Sequence, residues 1–255
     1  MTRLTRVALV ALLVGAVAVG AAYFGMRVGR TFAFNQMCCN IPQRHNLVVS
    51  IREQLGLLTF PSQIGQDRWV AEKIFPGVRN GFFLDVGSGD GVVYSNTWTL
   101  ERRGWSGICV DPFPTNMEGR RCQMFRDVVD AQGGRTVSFA KAGQIGGITS
   151  HLERWKEDAR SADVVELTTV TLAEILRRAH APSFIHFISL DIEGAELEAL
   201  QGFPFETYAV GALAIEHNYE QPKRARIEQF LKEKGYTREW TWMQDDFYVP
   251  ARARR

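Results

Sequence analysis

Cysteine is scarce in this chain: Cys38, Cys39, Cys109 and Cys122 are the only four in 255 residues. No two of them stand at a metal-ligand spacing, which argues against a zinc module. Nothing in their placement looks like a disulfide framework, which fits a reducing compartment. Cys109 falls inside an apolar run and reads as a core thiol. The Cys38-Cys39 pair, near an apolar segment, is a candidate for lipidation. Excess charge is missing as well, since a formal net charge of +2 gives no electrostatic footprint for nucleic acid. The chain also has no internal repeat, no low-complexity tract, and no Gly-Lys-Ser/Thr ending that would make a glycine loop a phosphate-cradling P-loop.

What the chain does have is apolar content, 45% of its residues, enough for one sizeable core and a small extension. Val7–Met26 is an uncharged run with Arg3 and Arg6 before it and Arg27 and Arg30 after it. As a helix rising about 1.5 Å per residue it would span about 30 Å, a bilayer core. A cleaved signal peptide competes, with small residues at Ala16-Val17-Ala18 and Gly20-Ala21-Ala22, but the run is long for one and arginines follow closely. Residues 1–30 are therefore read as a single-span anchor of undecided orientation, because arginines flank both ends. Residues 31–60 read as a linker with an amphipathic helix: Leu47, Val48, Ile51, Leu55 and Leu58 recur at helical spacing between Pro42 and Pro61, a stripe suited to packing. Residues 61–250 form the main domain, and 251–255 a basic tail.

Within the main domain, strands and helices alternate, the pattern of an α/β fold with a mostly parallel sheet covered on both faces. Strands are expected at 82–86, 108–111, 126–130, 135–140, 184–190, 211–215 and 247–249. The pair 126–130 and 135–140 is joined at Gly133-Gly134. Helices are expected at 69–75, 94–103, 171–180 (opened by a threonine cap), 195–201 and 225–234.

The stretch Phe82-Phe83-Leu84-Asp85-Val86-Gly87-Ser88-Gly89-Asp90-Gly91 is a buried strand running into a bare-backbone turn, with Asp85 as one fixed negative charge at its tip. A dinucleotide fingerprint needs glycine or alanine where Val92 stands, which weakens a nicotinamide reading. Asp111 ends the next strand, 20 residues beyond Gly91, with Pro112 stopping the ladder. In doubly wound sheets an acid at that place accepts hydrogen bonds from ribose hydroxyls. Ser95 and Asn96 either line this pocket or cap the following helix.

A third acidic strand end is Asp191, followed by Glu193 and Glu196. Asp191 and Glu193 suit a general base, a divalent-cation site shared with Glu216, or stabilisation of a helix start, the last also accounting for Glu196. His217 beside Glu216 is a base by intrinsic pKa. His186, inside an apolar strand, reads as a core histidine.

Taken together, Ser62-Gln63-x-Gly65-Gln66-Asp67, FFLDVGSGDGVVYSNTWTLERRGWSGICVDPFP, GITSHLE, TVTLAEIL and FISLDIEGAELEALQGF resemble the FkbM family of methyltransferases. The resemblance covers roughly residues 61–220. It implies a Rossmann-like class I methyltransferase fold, S-adenosyl-L-methionine as cofactor, and O-methylation of a sugar, glycan or small metabolite. On that reading Asp85, Gly87, Ser88, Gly89 and Gly91 hold the methionine part and Asp111 the ribose. Asp191, His217 and Glu193 are the catalytic candidates, and Asp191, Glu193 and Glu216 the ligands of any divalent cation. The expected protein is a membrane-anchored enzyme with a cytosolic domain, lumenal or periplasmic if the leader is cleaved. Its partners are an acceptor and the membrane, and no nucleic acid. Some relatives with this turn are membrane-anchored and linked to trafficking, so a non-catalytic tethered protein on the same scaffold stands as the alternative.

Overall fold

A computed structural model describes residues 3–251, with side chains from residue 15 onward, so the basic tail beyond Ala251 lies outside the described residues. The chain divides into two units, Met1–Thr59 and Phe60–Arg255.

The first unit is a pair of helices, α1 (Arg3–Cys39) and α2 (Gln43–Gln54). The 37 residues of α1 rise about 55 Å. The chain turns where Asn40 takes left-handed backbone (φ 46°), and Pro42 precedes the first turn of α2, where a missing N–H costs nothing. The seam between the helices is polar. Asn35 Nδ2 donates to Asn46 Oδ1 (2.8 Å) and Ser50 Oγ (3.2 Å), and Asn46 Nδ2 donates to the Phe32 carbonyl (2.9 Å). The apolar stripe expected to pack is turned outward instead: Leu47, Val48 and Leu55 are about half exposed, while Asn46, Val49 and Ser50 are buried. The reciprocal amide bonds account for the rotation, since these polar groups find their partners only against α1. Among the described residues no helix is long and apolar enough to cross a membrane. Positions 7–14 of the Val7–Met26 run lie outside the described side chains, and in its second half Val17, Val19, Tyr23, Phe24 and Met26 are exposed.

Among its described residues the second unit contains eleven strands: β1 (Phe82–Val86), β2 (Ser106–Val110), β3 (Gln123–Phe125), β4 (Val128–Val129), β5 (Thr136–Ala140), β6 (Gly147–Ile148), β7 (Val164–Val170), β8 (Phe184–Leu190), β9 (Ala209–Glu216), β10 (Tyr236–Trp242) and β11 (Asp245–Pro250). Its helices are α3 (Gln66–Arg68), running into a π-helical turn over Trp69–Ile74, α4 (Trp98–Arg102), α5 (Leu172–Arg178), α6 (Glu196–Gln201) and α7 (Gln221–Glu233).

Seven strands form one sheet in the order β10-β11-β9-β8-β1-β2-β3. Its members β9, β8, β1, β2 and β3 are parallel, and β11 and β10 close one edge antiparallel. Ile108, Leu84, Ile188, Leu213 and Tyr248 are register neighbours across five strands, and all are essentially inaccessible. Burying each such side chain contributes about 1.5–3 kcal/mol. One step along, on the opposite face, the row reads Cys109, Asp85, Ser189, Ala214, Phe247. This row places a carboxylate, a hydroxyl and a sulfur among apolar neighbours, and it marks where the sheet departs from pure core. The order of connection reverses between β1 and β8, the position where open α/β sheets leave a crevice at the strand carboxyl ends.

The mixed α/β expectation holds, with differences in detail. Residues 126–130 and 135–140 do not pair as a hairpin. A second sheet runs β4-β7-β5-β6, with β7 inserted between β4 and β5. The turn wraps Thr169 of β7, whose N–H donates to the Arg135 carbonyl (2.8 Å) and whose hydroxyl donates to the Gln132 carbonyl (2.7 Å), so the two flanking segments cannot meet. The helix expected from residue 94 begins only at Trp98, after the N-cap Thr97, because Tyr94 has φ 61° and the Trp98 N–H donates back to Ser95 Oγ (3.1 Å). The threonine cap of α5 is present as a full capping box, Thr171 with Glu174. Cys109 is no free thiol: it is joined to Cys122 with Cα atoms 5.8 Å apart, and Cys38 is bonded to Cys39. The spacing in sequence hid the first pair, which parallel pairing of β2 with β3 brings together.

Candidate active site

A cavity of about 370 Å³ opens at the carboxyl ends of β1, β2, β8 and β9. Asp85, Gly87, Ser88, Gly89, Asp111, Asp191, Glu193 and Glu216 all line it, whereas Gly91 and His217 do not.

Asp85 is 3% exposed, and burial pushes its acid up to about 6, against the pull of Arg120 and a hydrogen bond from Thr97 and with a further push from Asp191 and Asp111. The Thr97 hydroxyl donates to Asp85 Oδ2 at 2.5 Å. The glycines divide their roles. At Gly87, with φ +83°, a Cβ would lie 1.6 Å from the Asp191 carbonyl oxygen, so this residue lets the β1 turn pass against the β8 turn. At Gly91 a Cβ would lie 2.4 Å from the Asn116 carbonyl, so it serves packing against the loop after β2. At Gly89, with φ +46°, a Cβ would meet only the Gly87 carbonyl oxygen, at an ordinary 3.9 Å.

Asp111 Oδ2 accepts the Gly89 N–H (2.9 Å) and Oδ1 the Phe113 N–H (2.7 Å). Each oxygen keeps one lone pair for a ligand diol. Among the described residues, Ser88 Oγ and Asn96 Oδ1, on cavity-lining residues 5% and 9% exposed, have no protein hydrogen-bond partner. Asn96 is held in place because its Nδ2 donates to Ser189 Oγ (2.9 Å). Buried polar atoms are ordinarily satisfied, so these two are left to be met by a partner from outside the protein.

Across the cavity, ligand atoms of Asp191, Glu193 and Glu216 lie within 4.8 Å of one another. Asn218 Nδ2 donates to both Glu193 Oε2 (2.9 Å) and Glu216 Oε2 (2.6 Å). Asp245, 4% exposed, is the β11 register partner of Glu216 and accepts from Gln66 Nε2 (2.9 Å). Burial first, then mutual repulsion, raises every acid in the group: Glu193 to about 8, Asp245 to about 8, Asp191 above its usual range, and Glu216 far above. These carboxylates cannot all ionise together without a cation. Glu193 (φ 54°), Asn218 (φ 47°) and Tyr219 (φ 63°) all adopt left-handed backbone around this rim, strain of the kind that collects at functional sites. Glu196 accepts the N–H groups of Ile192 (3.1 Å) and Gly194 (2.9 Å) and so serves the turn.

His217 is 3% exposed, with Nδ1 accepting the Tyr219 N–H (3.0 Å) and Nε2 lying 3.8 Å from Asp246. Burial lowers its pKa to about 4. It stands beside Glu216 without lining the cavity. His186 Nδ1 accepts the Phe82 N–H (3.1 Å) among Phe75, Trp105 and Phe184. Among the lining residues that sequence reasoning passed over are Gln66, Asn218, Arg154 and Trp155. Gln66 stood inside a quoted motif, and Asn218 follows an acidic strand end directly. Arg154 and Trp155 carried no signal.

An acidic glycine turn, a second acid at the next strand end and a crevice at the sheet switch point define an α/β domain with its candidate site at the strand carboxyl ends. Residues 85–238 match the family described as the Methyltransferase FkbM domain, more than half of the chain. The chain belongs to that methyltransferase family. No curated protein and no solved structure gives a significant match.

Proposed function

We propose that the second unit is an S-adenosyl-L-methionine-dependent O-methyltransferase acting on a hydroxyl of a sugar, glycan or small metabolite. The observation that carries this reading is the pair Asp85 and Asp111 on neighbouring strand ends, in one cavity with the partnerless Ser88 Oγ and Asn96 Oδ1 and with the Asp191 group. The residues fit the cofactor's chemistry. Asp85 matches an ammonium, Asp111 a ribose diol, and the open backbone at Gly89 a close approach. The cofactor supplies an electrophilic methyl on a sulfonium. Orientation of an acceptor oxygen is worth about 7–11 kcal/mol and a general base about 10²–10⁴-fold. Asp191 is assigned the acceptor proton, because a carboxylate whose acid is raised by burial is a stronger base than a solvated one. Glu216, bridged to Glu193 by Asn218, hydrogen-bonds to Asp191. Calorimetric titration of the purified chain with S-adenosyl-L-methionine tests the reading, and a folded protein that binds none sinks it. Asp191→Asn separates enzyme from scaffold: unchanged biological activity in that variant favours the non-catalytic alternative.

A divalent cation is the other occupant that answers the excess charge at Asp191, Glu193 and Glu216. Magnesium added to chelator-treated protein raises the thermal midpoint if it binds there, and leaves it unmoved if protons suffice.

Membrane attachment is proposed for the first unit. A polar seam inside a helix pair with apolar side chains outside is the arrangement a lipid environment favours. Carbonate extraction of cell membranes tests it, release into the wash being the contrary outcome.

A further inference from the structure

Arg120 was not singled out by its sequence, and it does not line the cavity. It is nonetheless one of the most heavily bonded side chains around the cofactor end, with its side chain 3% exposed. Nε donates to Glu101 Oε2 (3.0 Å), and Nη1 donates to the Gly91 carbonyl (2.8 Å) and Ser95 Oγ (3.2 Å). Nη2 donates to Thr97 Oγ1 (2.8 Å) and approaches Cys109 Sγ (3.5 Å). One planar guanidinium thus ties together the end of the glycine turn, the cap of α4, strand β2 and the loop before β3.

The bond to Thr97 has a direction. A guanidinium only donates, so the Thr97 oxygen must accept from Arg120, and its single proton is then committed to Asp85 Oδ2, 2.5 Å away. Asp85 is therefore oriented from behind through Thr97, which leaves the rest of its carboxylate to face the cavity. The support is rigid. Glu101, 4% exposed, also accepts the Cys122 N–H (3.3 Å), and Cys122 is bonded to Cys109, the β2 register partner of Asp85. The positive charge behind the turn also draws the Asp85 acid downward against its burial.

We propose that Arg120 is a positioning residue for the amino-acid end of the cofactor, acting on Asp85 through Thr97 and on the glycine turn through the Gly91 carbonyl. The inference rests on the reading of Asp85 as the ammonium partner. It makes a demand that a general stabilising role does not, since loss of Arg120 must weaken ligands carrying the amino-acid end and spare those lacking it. Asp111, held by the backbone N–H groups of Gly89 and Phe113, keeps its own support for a ribose.

The test is calorimetry on the full chain with two probes, S-adenosyl-L-methionine and 5′-methylthioadenosine, which shares the nucleoside but lacks the amino-acid end. Two variants are used: Arg120→Gln, and Thr97→Val, which keeps the side-chain shape and breaks only the relay. Losing a hydrogen bond to a charged group corresponds to about ten- to a hundredfold. Both variants are expected to lose about tenfold or more in affinity for S-adenosyl-L-methionine, with affinity for 5′-methylthioadenosine changed less than about twofold. Arg120→Lys, which keeps the charge and one donor, is expected to fall between wild type and Arg120→Gln. If Arg120→Gln does not fold, Thr97→Val carries the same expectation. Equal loss for both probes, or no loss for either, overturns the inference while leaving the site reading intact. A wild-type protein that binds neither probe overturns both.

Discussion

Replacing Asp85 with asparagine should make the ligand-free protein more stable and the site useless, and the size of the first effect follows from the site. The folded protein holds the Asp85 acid at about 6 against an ordinary 3.8, chiefly because it is buried. An acid raised on folding favours the folded state while protonated. That advantage is present in full below its unfolded value and lost as pH climbs through the folded one. Between 3.8 and about 6 the loss amounts to about 3 kcal/mol, complete near pH 8 and about one-third advanced near pH 4.5. Asparagine does not titrate, so the variant escapes the loss. The pull of Arg120 and the Thr97 bond is already contained in the folded value of about 6, and what remains, the difference between an amide and a protonated acid, does not vary with pH. The pH-dependent part is therefore the clean quantity. Urea unfolding near pH 8 and near pH 4.5 should show the variant gaining about 2 kcal/mol more, relative to wild type, at the higher pH. A difference between variant and wild type that is the same at both values refutes the reasoning. Retained binding of S-adenosyl-L-methionine by the variant refutes the assignment of Asp85.

Other expectations are as direct. Glu216→Gln should stabilise the metal-free protein near pH 8, because burial beside Asp191 and Glu193 holds the native acid protonated there and the amide mimics that form; a lower urea midpoint than wild type would contradict this. Gly87→Ala should prevent folding or cost several kcal/mol, since the new methyl meets the Asp191 carbonyl, whereas Gly89→Ala should cost only about 1 kcal/mol for its left-handed backbone; comparable melting of the two variants would remove the distinction. Cys122→Ser should lower stability by about 2–4 kcal/mol in non-reducing buffer and leave it unchanged relative to wild type in reductant. Alkylation with and without reductant, read by mass spectrometry, would establish whether the bond forms in cells. Its presence there would oppose the reducing compartment expected from the lack of a disulfide framework in the sequence.

Strands buried on both faces were legible as short apolar runs, and β1 and β8 match their expected limits. Strands with half-exposed, alternating faces were not: β7 and β10 carry Glu, Thr and Arg among their apolar residues and pair at or near sheet edges. The three acidic strand ends at Asp85, Asp111 and Asp191 were found because parallel strands put their carboxyl ends on one rim. Asp245 carries no such signal, because β11 runs antiparallel and it is its amino end that lies beside Glu216. The two faces of α2 were misjudged for a different reason. Spacing locates an apolar stripe but cannot say which side a partner will bury, and here Asn35 of α1 supplies hydrogen bonds that favour the polar side.

The glycine turn shows how a motif can be right about place while its residues act for other reasons. Gly87 and Gly91 are bare because backbone from neighbouring turns occupies the space a side chain would need. Gly87 binds the β1 turn to the carbonyl of Asp191, the residue assigned to take the acceptor proton. Gly91 presents its carbonyl to Arg120, which stands behind Asp85 through Thr97. The turn is therefore the joint by which the proposed cofactor end and the proposed reacting end are held at fixed separation. In-line transfer depends on that separation, and a misplacement of about 1 Å can cost a hundredfold. A substitution at Gly87 that the fold tolerated should thus depress turnover more than cofactor affinity, and one at Gly91 should do the reverse.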